Sequence, residues 1–475
     1  MSAVAAIDLG ATSGRVVVGG LVDGGLRMRT AVRFPNDPVP LADGLHWDLP
    51  GLHAAAMRGL GAAAREQEVV GAAVDSWAVD YGLTRGRHLL GLPFHYRDGR
   101  NVAGVADVHG VVAPEDLYRR NGLQHLPFNT LFQLAAERRD GLLDVADGLL
   151  LVPDLVGWWA TGRRVAEQTN ASTTGLLPVG GAGWDEALLD RLGLPRRLFP
   201  AVVEPGTDLG PVLPTVQDAF GIPAGVRFST VGSHDTASAV VGVPLQHEGA
   251  AYISCGTWSL VGTELPAPIA TEEARAAGFM NEGGVDGRTR FLKNVMGLWV
   301  LSETLRAWER VGEHHELTSL LAQAADAPAD VPVFDVDDPR LLAPGDMPGR
   351  VEALLVEQGS RPPASVPEFV RSVLQSLAAA YARAVRDLER LTGTPIRTVN
   401  LVGGGAQNAL LCQLTADAVG VPVVAGPIEA TAVGNLLVQL RTHGVLHGDL
   451  ESLRAVIARS FPPRTYAVRT ESRRG

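Results

Sequence analysis

The sequence predicts an α/β fold of two domains, each built on a mixed sheet flanked by helices. Three observations carry that expectation. The chain has 475 residues, too many for one ordinary core and suited to two domains of roughly 200–250 residues each. Apolar runs ending in short glycine and hydroxyl turns alternate with stretches of helical spacing. One arrangement also occurs twice: VAAIDLGATSGRVVV at 4–18 and AAYISCGTWSLVG at 250–262 are each an apolar run, a Gly/Ser/Thr turn and a second apolar run. Two such hairpins facing each other across a cleft offer backbone N–H groups and hydroxyls to a phosphate chain.

The elements follow in order. Residues 3–10 read as a strand carrying Asp8, 15–21 return as a second, and Asp23-Gly24-Gly25 turns into a third near 26–34. Leu52, Ala55, Ala56, Leu60 and Ala63 space a helix over 49–66. VVGAAV at 69–74 is a buried strand ending at Asp75, parallel to the first. A further strand is expected at 88–95, and a largely helical stretch over 129–163 broken at Pro153 and Gly162. The hydroxyl-rich 167–177 reads as an ordered turn. A strand at 226–231 leads into a helix begun by Gly232-Ser233-His234-Asp235-Thr236, with Ser233 or Asp235 placed to cap it. The pattern then restarts with a hairpin, which sets domains at 1–244 and 245–458 and a polar tail at 459–475. Helices at 295–312, 368–392, 407–419 and 428–443 and strands at 398–402 and 421–425 complete the second domain, and 312–365 alternates short helices with Pro-rich loops.

A net charge of −11 makes a nonspecific nucleic-acid partner a poor expectation, without excluding a small anionic substrate. Cys255 and Cys412 lack CxxC spacing and read as buried free thiols of a reducing compartment. No basic region leads a long apolar stretch at the N-terminus, and no apolar run approaches the ~20 residues of a membrane span, so a cytoplasmic protein without a membrane partner is the expectation. The oligomeric state stays open.

Several residues have the chemistry of a phosphoryl-transfer site. Asp8, at a strand end beside a glycine turn, suits Mg²⁺ held through water. Thr12 and Ser13 add hydroxyls, and Arg15 suits a phosphoryl oxygen or Asp8 itself; an ordinary tight hairpin would look the same. Asp235, at a helix mouth after a strand, suits proton removal from a substrate hydroxyl, with His234 beside it for another hydroxyl. A helix cap with a hydrogen-bonded His is the plainer account of that pair. Asp75, Trp77 and Asp80 suit a polyol, with carboxylates on hydroxyls and the indole on an apolar face, or else form a solvated loop. Asn294, in FLKNVMGLW, is a ligand contact or a helix cap. Gly403, Gly404 and Gly405 join a strand to a helix, a geometry suited to adenosine or the α-phosphate. Glu429 and Gly434 lie in GPIEATAVGN, where small residues let a helix pack closely. There is no GxxxxGK[ST] loop, no metalloprotease HExxH and no GxSxG elbow.

These residues carry a resemblance. AIDLGATSGRV at 6–16, DSWAVDYGL at 75–83, GLPFHYRD at 91–98, GLQHLPFNTLFQL at 122–134, LVPDLVGWWATG at 151–162, TNASTTGLL at 169–177, SHDTASAV at 233–240, SCGTWSLVG at 254–262, NEGG at 281–284, LKNVMGLW at 292–299 and VGGGAQNALLCQL resemble, in order, segments of the carbohydrate kinase family that includes glycerol, xylulose and gluconate kinases. The resemblance implies two actin-like (ribonuclease H-like) ATPase domains around a deep cleft. It implies ATP-dependent, Mg²⁺-assisted phosphorylation of L-rhamnulose at its 1-hydroxyl, with a kinase for another ketose (fuculose or xylulose type) or a non-catalytic sugar or nucleotide sensor as the alternatives. Asp235 matches the family's proton acceptor. Trp77, Ala78, Asp80, His234, Thr236 and Asn294 match the sugar side. Ala11, Thr12, Ser13, Gly14 and Arg15 match the first phosphate loop, Thr257 the second, and Gly403, Gly404, Gly405 and Ser302 the nucleotide side. Two positions depart from the family's pattern: Ala78 stands where it has glycine, and Ser302 where some members have glutamine.

Overall fold

The computed structural model describes residues 2–245 and 249–469. The chain divides into two compact units. The first comprises Met1–Pro244, Glu264–Phe291 and Ala430–Phe461, and the second Leu245–Thr263, Leu292–Glu429 and Pro462–Gly475.

The first unit is built on a six-stranded sheet. Its order is Asp208–Pro211, Arg227–Ser229, Val69–Ser76, Ala3–Leu9, Ser13–Val22, Gly25–Pro35. Ala3–Leu9, Val69–Ser76 and Arg227–Ser229 run parallel, and the hairpin strands Ser13–Val22 and Gly25–Pro35 are antiparallel. Side chains alternate across a strand, and this one uses both faces. Ala5, Ile7 and Leu9 pack with Leu52, Met57 and Leu60 of the helix Leu49–Glu66 and with Leu155 and Val156 of the helix Val152–Thr161. Val4 and Ala6 pack with Val433, Leu436 and Leu440 of the helix Ala430–Thr442. A sheet with parallel strands at its centre needs cover on both faces. That need draws Ala430–Phe461 into the first unit, where a contiguous division at 244/245 would leave it in the second. The expected boundary at 244–248 lies partly outside the described residues.

In the second unit, strands Trp258–Leu265, Ala250–Cys255, Thr398–Val402, Val423–Ala425 and Arg464–Tyr466 are neighbours in that order. Ala250–Cys255 is antiparallel to its hairpin mate and parallel to Thr398–Val402. Both units thus open with an antiparallel hairpin whose first strand pairs in parallel with a later one. The long helix Val366–Thr392 buries Phe369, Val373, Leu377, Tyr381 and Leu388 at helical spacing.

Several expectations change. Only His88–Leu89 of 88–95 is strand. The stretch 129–163 contains the strand Gly148–Leu151, and Pro153 stands in the first turn of a helix, where a missing N–H costs nothing. Neither Ser233 nor Asp235 caps the helix Asp235–Val241: His234 holds that position, without a side-chain bond. Arg459 and Ser460 complete a helix, and Arg464–Tyr466 pairs with Val423–Ala425, so the expected polar tail contributes a strand. Residues 470–475 of that tail lie outside the described residues. Both cysteines are free and buried. Burial pushes the Cys412 thiol up to about 12. Among the described residues no helix is long and apolar enough to cross a membrane.

Candidate active site

Three acidic residues stand at or beyond the C-terminal ends of three adjacent parallel strands: Asp8 on Ala3–Leu9, Asp75 on Val69–Ser76, and Asp235 just past Arg227–Ser229. Sheets of this kind place ligands at that edge. Asp8 and Asp75 are directly paired in register. The hairpin register also sets Arg15 opposite Asp8, and its Nε and Nη2 donate to Asp8 Oδ2 at 2.9 and 2.5 Å. Of the two partners open to Arg15 in the sequence, Asp8 is the one it meets here. Asp75 is fully buried and accepts Asn435 Nδ2 through Oδ2 at 2.5 Å. Burial, then the nearby Asp8 charge, holds its carboxyl well above the usual range.

The first phosphate loop follows. Gly10 N–H donates to Ser13 C=O at 2.9 Å, closing the turn. Thr12 and Ser13 are exposed, Ala11 and Arg15 half-buried, and Gly14 buried. A Cβ at Gly14 would lie 2.2 Å from the Phe34 ring, so this position takes no side chain. Asn36, which sequence reasoning missed, anchors the loop from outside. Its Nδ2 donates to Gly10 C=O at 2.8 Å, and its N–H donates to Thr12 C=O at 3.1 Å.

Asp235 opens its helix half-buried and accepts Thr236 Oγ1 at 3.0 Å. His234 Nε2 lies 3.4 Å from Asp235 Oδ1, while its Nδ1 lies 3.1 Å from Glu282 Oε2 and 3.2 Å from Arg290 Nη2. Arg290 Nη2 is itself 2.9 Å from Glu282. Although burial works to raise it, the Arg290 and His234 charges hold the Glu282 carboxyl below its usual range. The loop before the helix is fixed by buried Glu167, whose Oε2 accepts Ser233 N–H at 3.0 Å and Ser233 Oγ at 2.6 Å. Glu167 also accepts Thr169 Oγ1 at 2.6 Å, and Thr169 Oγ1 accepts His234 N–H at 3.3 Å. Glu167, Glu282 and Arg290 were not singled out from sequence: they lie 66, 48 and 56 positions from the Ser233 or His234 they touch, and only folding brings them there. Two signals were available: the glutamate preceding the hydroxyl-rich 168–174, and the NEGG segment at 281–284 that contains Glu282.

The Asp75–Trp77–Asp80 segment differs from expectation. Asp80 is 1% exposed and spends its carboxylate on protein donors. Trp47 Nε1 and Trp77 Nε1 donate to Oδ2 at 2.6 and 3.0 Å, Tyr96 N–H to the same oxygen at 3.2 Å, and Gln133 Nε2 to Oδ1 at 2.8 Å. It therefore organises an aromatic wall in place of gathering sugar hydroxyls. In that wall the Trp47 ring lies 4.1 Å from Trp77 and 4.0 Å from His95, centre to centre. Burial pushes Asp80 up to about 6 and His95 down to about 4. Ala78 is half-buried.

In the second unit, Thr257 is half-buried in the turn between Ala250–Cys255 and Trp258–Leu265. That turn is fastened by Leu298 N–H to Gly256 C=O at 2.9 Å and Trp299 N–H to Thr257 C=O at 3.2 Å. Ser302 lies half-buried on the helix Trp299–Arg310. Asn294 lies on the strand Thr289–Met296, half-buried, and caps no helix. Gly403, Gly404 and Gly405 follow Thr398–Val402 as expected. Gly403 has φ 81°, and a Cβ at Gly405 would lie 2.3 Å from Cys255 Sγ. The glycines therefore let this loop lie on the strand that leads to Thr257.

The sequence matches the FGGY family of carbohydrate kinases, N-terminal domain over residues 89–242 and C-terminal domain over 251–443. The chain belongs to that family of carbohydrate kinases. Rhamnulokinase from Pectobacterium carotovorum is 40% identical over 480 residues, covering 99% of this chain and 94% of the relative. Rhamnulokinase from Bacteroides thetaiotaomicron is 36% identical over 97% of this chain and 95% of its own. Among solved structures, xylulose kinase from Lactobacillus acidophilus superposes with a TM-score of 0.81 at 17% identity, over 99% of this kinase and 94% of that chain. Glycerol kinase from Plasmodium falciparum superposes at 0.78 and 13% identity, over 99% and 94%. These likenesses confirm the two-domain kinase fold expected from the motifs.

Proposed function

We propose that this kinase phosphorylates L-rhamnulose at its 1-hydroxyl, giving L-rhamnulose 1-phosphate and ADP. The observation that carries the reading is the Asp235 carboxylate at the edge where Asp8 and Asp75 also gather, with His234 beside it. Support for the sugar comes from rhamnulokinases at 36–40% identity over nearly the whole chain.

Asp235 takes the proton of the terminal hydroxyl as its oxygen attacks the γ-phosphorus, and the bond to the bridging oxygen of ADP breaks. His234 is held by Glu282 and Arg290 with Nε2 toward Asp235, fixing the ring that meets a second hydroxyl. Thr236 and Ala78 serve the sugar in the first unit, where Trp77 lines the apolar wall that Asp80 orders, and Asn294 is the sugar residue proposed in the second. Backbone N–H groups of Ala11–Arg15 and the Thr12 hydroxyl receive phosphate charge, with Thr257 as their counterpart in the second unit. Gly403–Gly405 and Ser302 serve the nucleotide. The carboxylate-rich strand edge supplies hard oxygen donors that would fit Mg²⁺, with Asp8 the residue that would hold it; bound there, the ion would neutralise phosphate charge. We place the enzyme in the cytoplasm without membrane or nucleic-acid partners; a net charge of −11 is unfavourable to nonspecific nucleic-acid contact.

The test is a coupled ADP-release assay over a panel of ketoses with glycerol. A strong preference for L-rhamnulose is expected; activity confined to another ketose reassigns the sugar, and ATP binding without turnover on any sugar points to a sensor. Asp235→Asn is expected to lose nearly all turnover while ATP affinity holds. Near-wild-type turnover in that variant would sink the base assignment.

A further inference from the structure

Residues 71–84 are buried at every position except Ala78. At the next residue the backbone turns over. Val79 has φ 68°, and Asp80 N–H donates to Ala78 C=O at 2.9 Å, closing a three-residue turn with Val79 at its centre. Turns of that hand are rare, and a β-branched residue at positive φ is strained. Such strain persists only where the surroundings over-determine it, and they do so here. Thr130 Oγ1 donates to Val79 C=O at 2.6 Å, and Gln133 Nε2 reaches the same oxygen at 3.4 Å. Asp80 is pinned by its two indoles, and its C=O accepts Val152 N–H at 3.2 Å. Upstream, Ser76 N–H donates to Ser233 C=O at 2.9 Å and Trp77 N–H to Leu9 C=O at 3.3 Å. The turn is thus tied to the loop bearing His234 and Asp235 and to the strand bearing Asp8.

We propose that Thr130 is a positioning residue for the sugar: its hydroxyl locks the strained Val79 turn, and the lock fixes the peptide of Ala78, the one residue of 71–84 that is not buried, in the orientation that meets a ketose hydroxyl. The inference rests on the sugar-kinase reading above. Without the lock, Val79 relaxes toward negative φ, the peptide rotates, and the fraction of enzyme competent for sugar falls. Apparent sugar affinity falls by that same fraction. Glycine at 79 carries no such strain and needs no lock.

The test is a set of variants assayed for the KM of ketose and of ATP. T130V is expected to raise the ketose KM about tenfold and leave the ATP KM unchanged, and T130S to stay near wild type. In a V79G background, T130V is expected to change the ketose KM by less than about twofold. An unchanged ketose KM in T130V, or an equal rise in the V79G background, overturns the proposal. The melting order decides the strain separately: V79G is expected to melt above V79A, the reverse of ordinary propensity, and the opposite order overturns it. A wild-type enzyme silent on every sugar would overturn the kinase reading instead, while the melting order would still decide the strain.

Discussion

Replacing Asp80 by Asn is expected to flatten one segment of the stability–pH curve. Burial pushes the Asp80 carboxyl from 3.8 to about 6, against the opposing pull of Gln133, Trp47, Trp77 and the Tyr96 N–H. The folded protein therefore holds this proton more tightly than the unfolded chain. The stability this contributes is fully present below about pH 3.8 and is lost as pH rises through about 6. Two units at ~1.4 kcal/mol each set the whole span near 3 kcal/mol, of which about 1.3 kcal/mol falls between pH 5 and 7. The main causes of this shift are burial and hydrogen bonds rather than a neighbouring charge, so subtracting D80N separates it from the other buried carboxyls. Urea unfolding followed by tryptophan fluorescence, with both proteins at pH 5, 6 and 7, gives the difference directly. The advantage of wild type over D80N is expected to shrink by about 1.3 kcal/mol from pH 5 to 7. A difference that stays constant refutes a proton on Asp80 in that range, and with it the desolvation of the aromatic wall.

The remaining predictions concern the scaffold under Asp235. A Cβ at Gly434 would stand 1.8 Å from Ser238 C=O, so Gly434→Ala is expected to push the helix Asp235–Val241 outward. It should lower stability by about 1–3 kcal/mol and kcat by about a hundredfold, read by thermal melting and initial rates; an unchanged kcat would show that the helix position is not coupled to the base. Glu167→Gln leaves its new amide N–H₂ facing Thr169 N–H or the Ser233 donors. It is expected to cost about 1–3 kcal/mol and to reduce kcat with little effect on the KM of ATP, checked in the same two assays.

Long elements with sustained periodicity could be read from the sequence. The strand Ala3–Leu9, the helix Leu49–Glu66 and the helix Val366–Thr392 stand within two residues of expectation. Hydrophobic alternation and 3.6-residue spacing are local signals, and those segments are long enough to show them. The strand-end positions of Asp8, Asp75 and Asp235 could be read as well, because an apolar run leads to each, but their contacts could not. The strand Gly148–Leu151 was not, since four apolar residues carry no period. Trp47 comes from a hairpin of two four-residue strands and owes its place to Asp80, 33 positions away. The Asp80 reading failed for the same reason. A carboxylate beside an indole suggests a polyol site, and nothing local announces a second indole and an amide that occupy it first. Val79 is the extreme case, because a β-branched residue in a left-handed turn contradicts every local preference and is fixed by contacts from Thr130 and Gln133.

The acidic edge poses an electrostatic problem whose solution bears on the reaction. Burial first, then the Asp8 charge and more weakly that of Asp235, makes the charged form of Asp75 hard to keep. Arg15 answers part of this by pairing with Asp8. Burial answers another part by favouring the neutral form of Asp75. Asn435 then holds Asp75 in place through its amide, and Gln439 donates to Asn435 Oδ1 at 2.6 Å from one turn further along the same helix. That helix also presses Gly434 against the helix that begins with Asp235. One element therefore both holds the buried acid and packs against the helix that begins with Asp235.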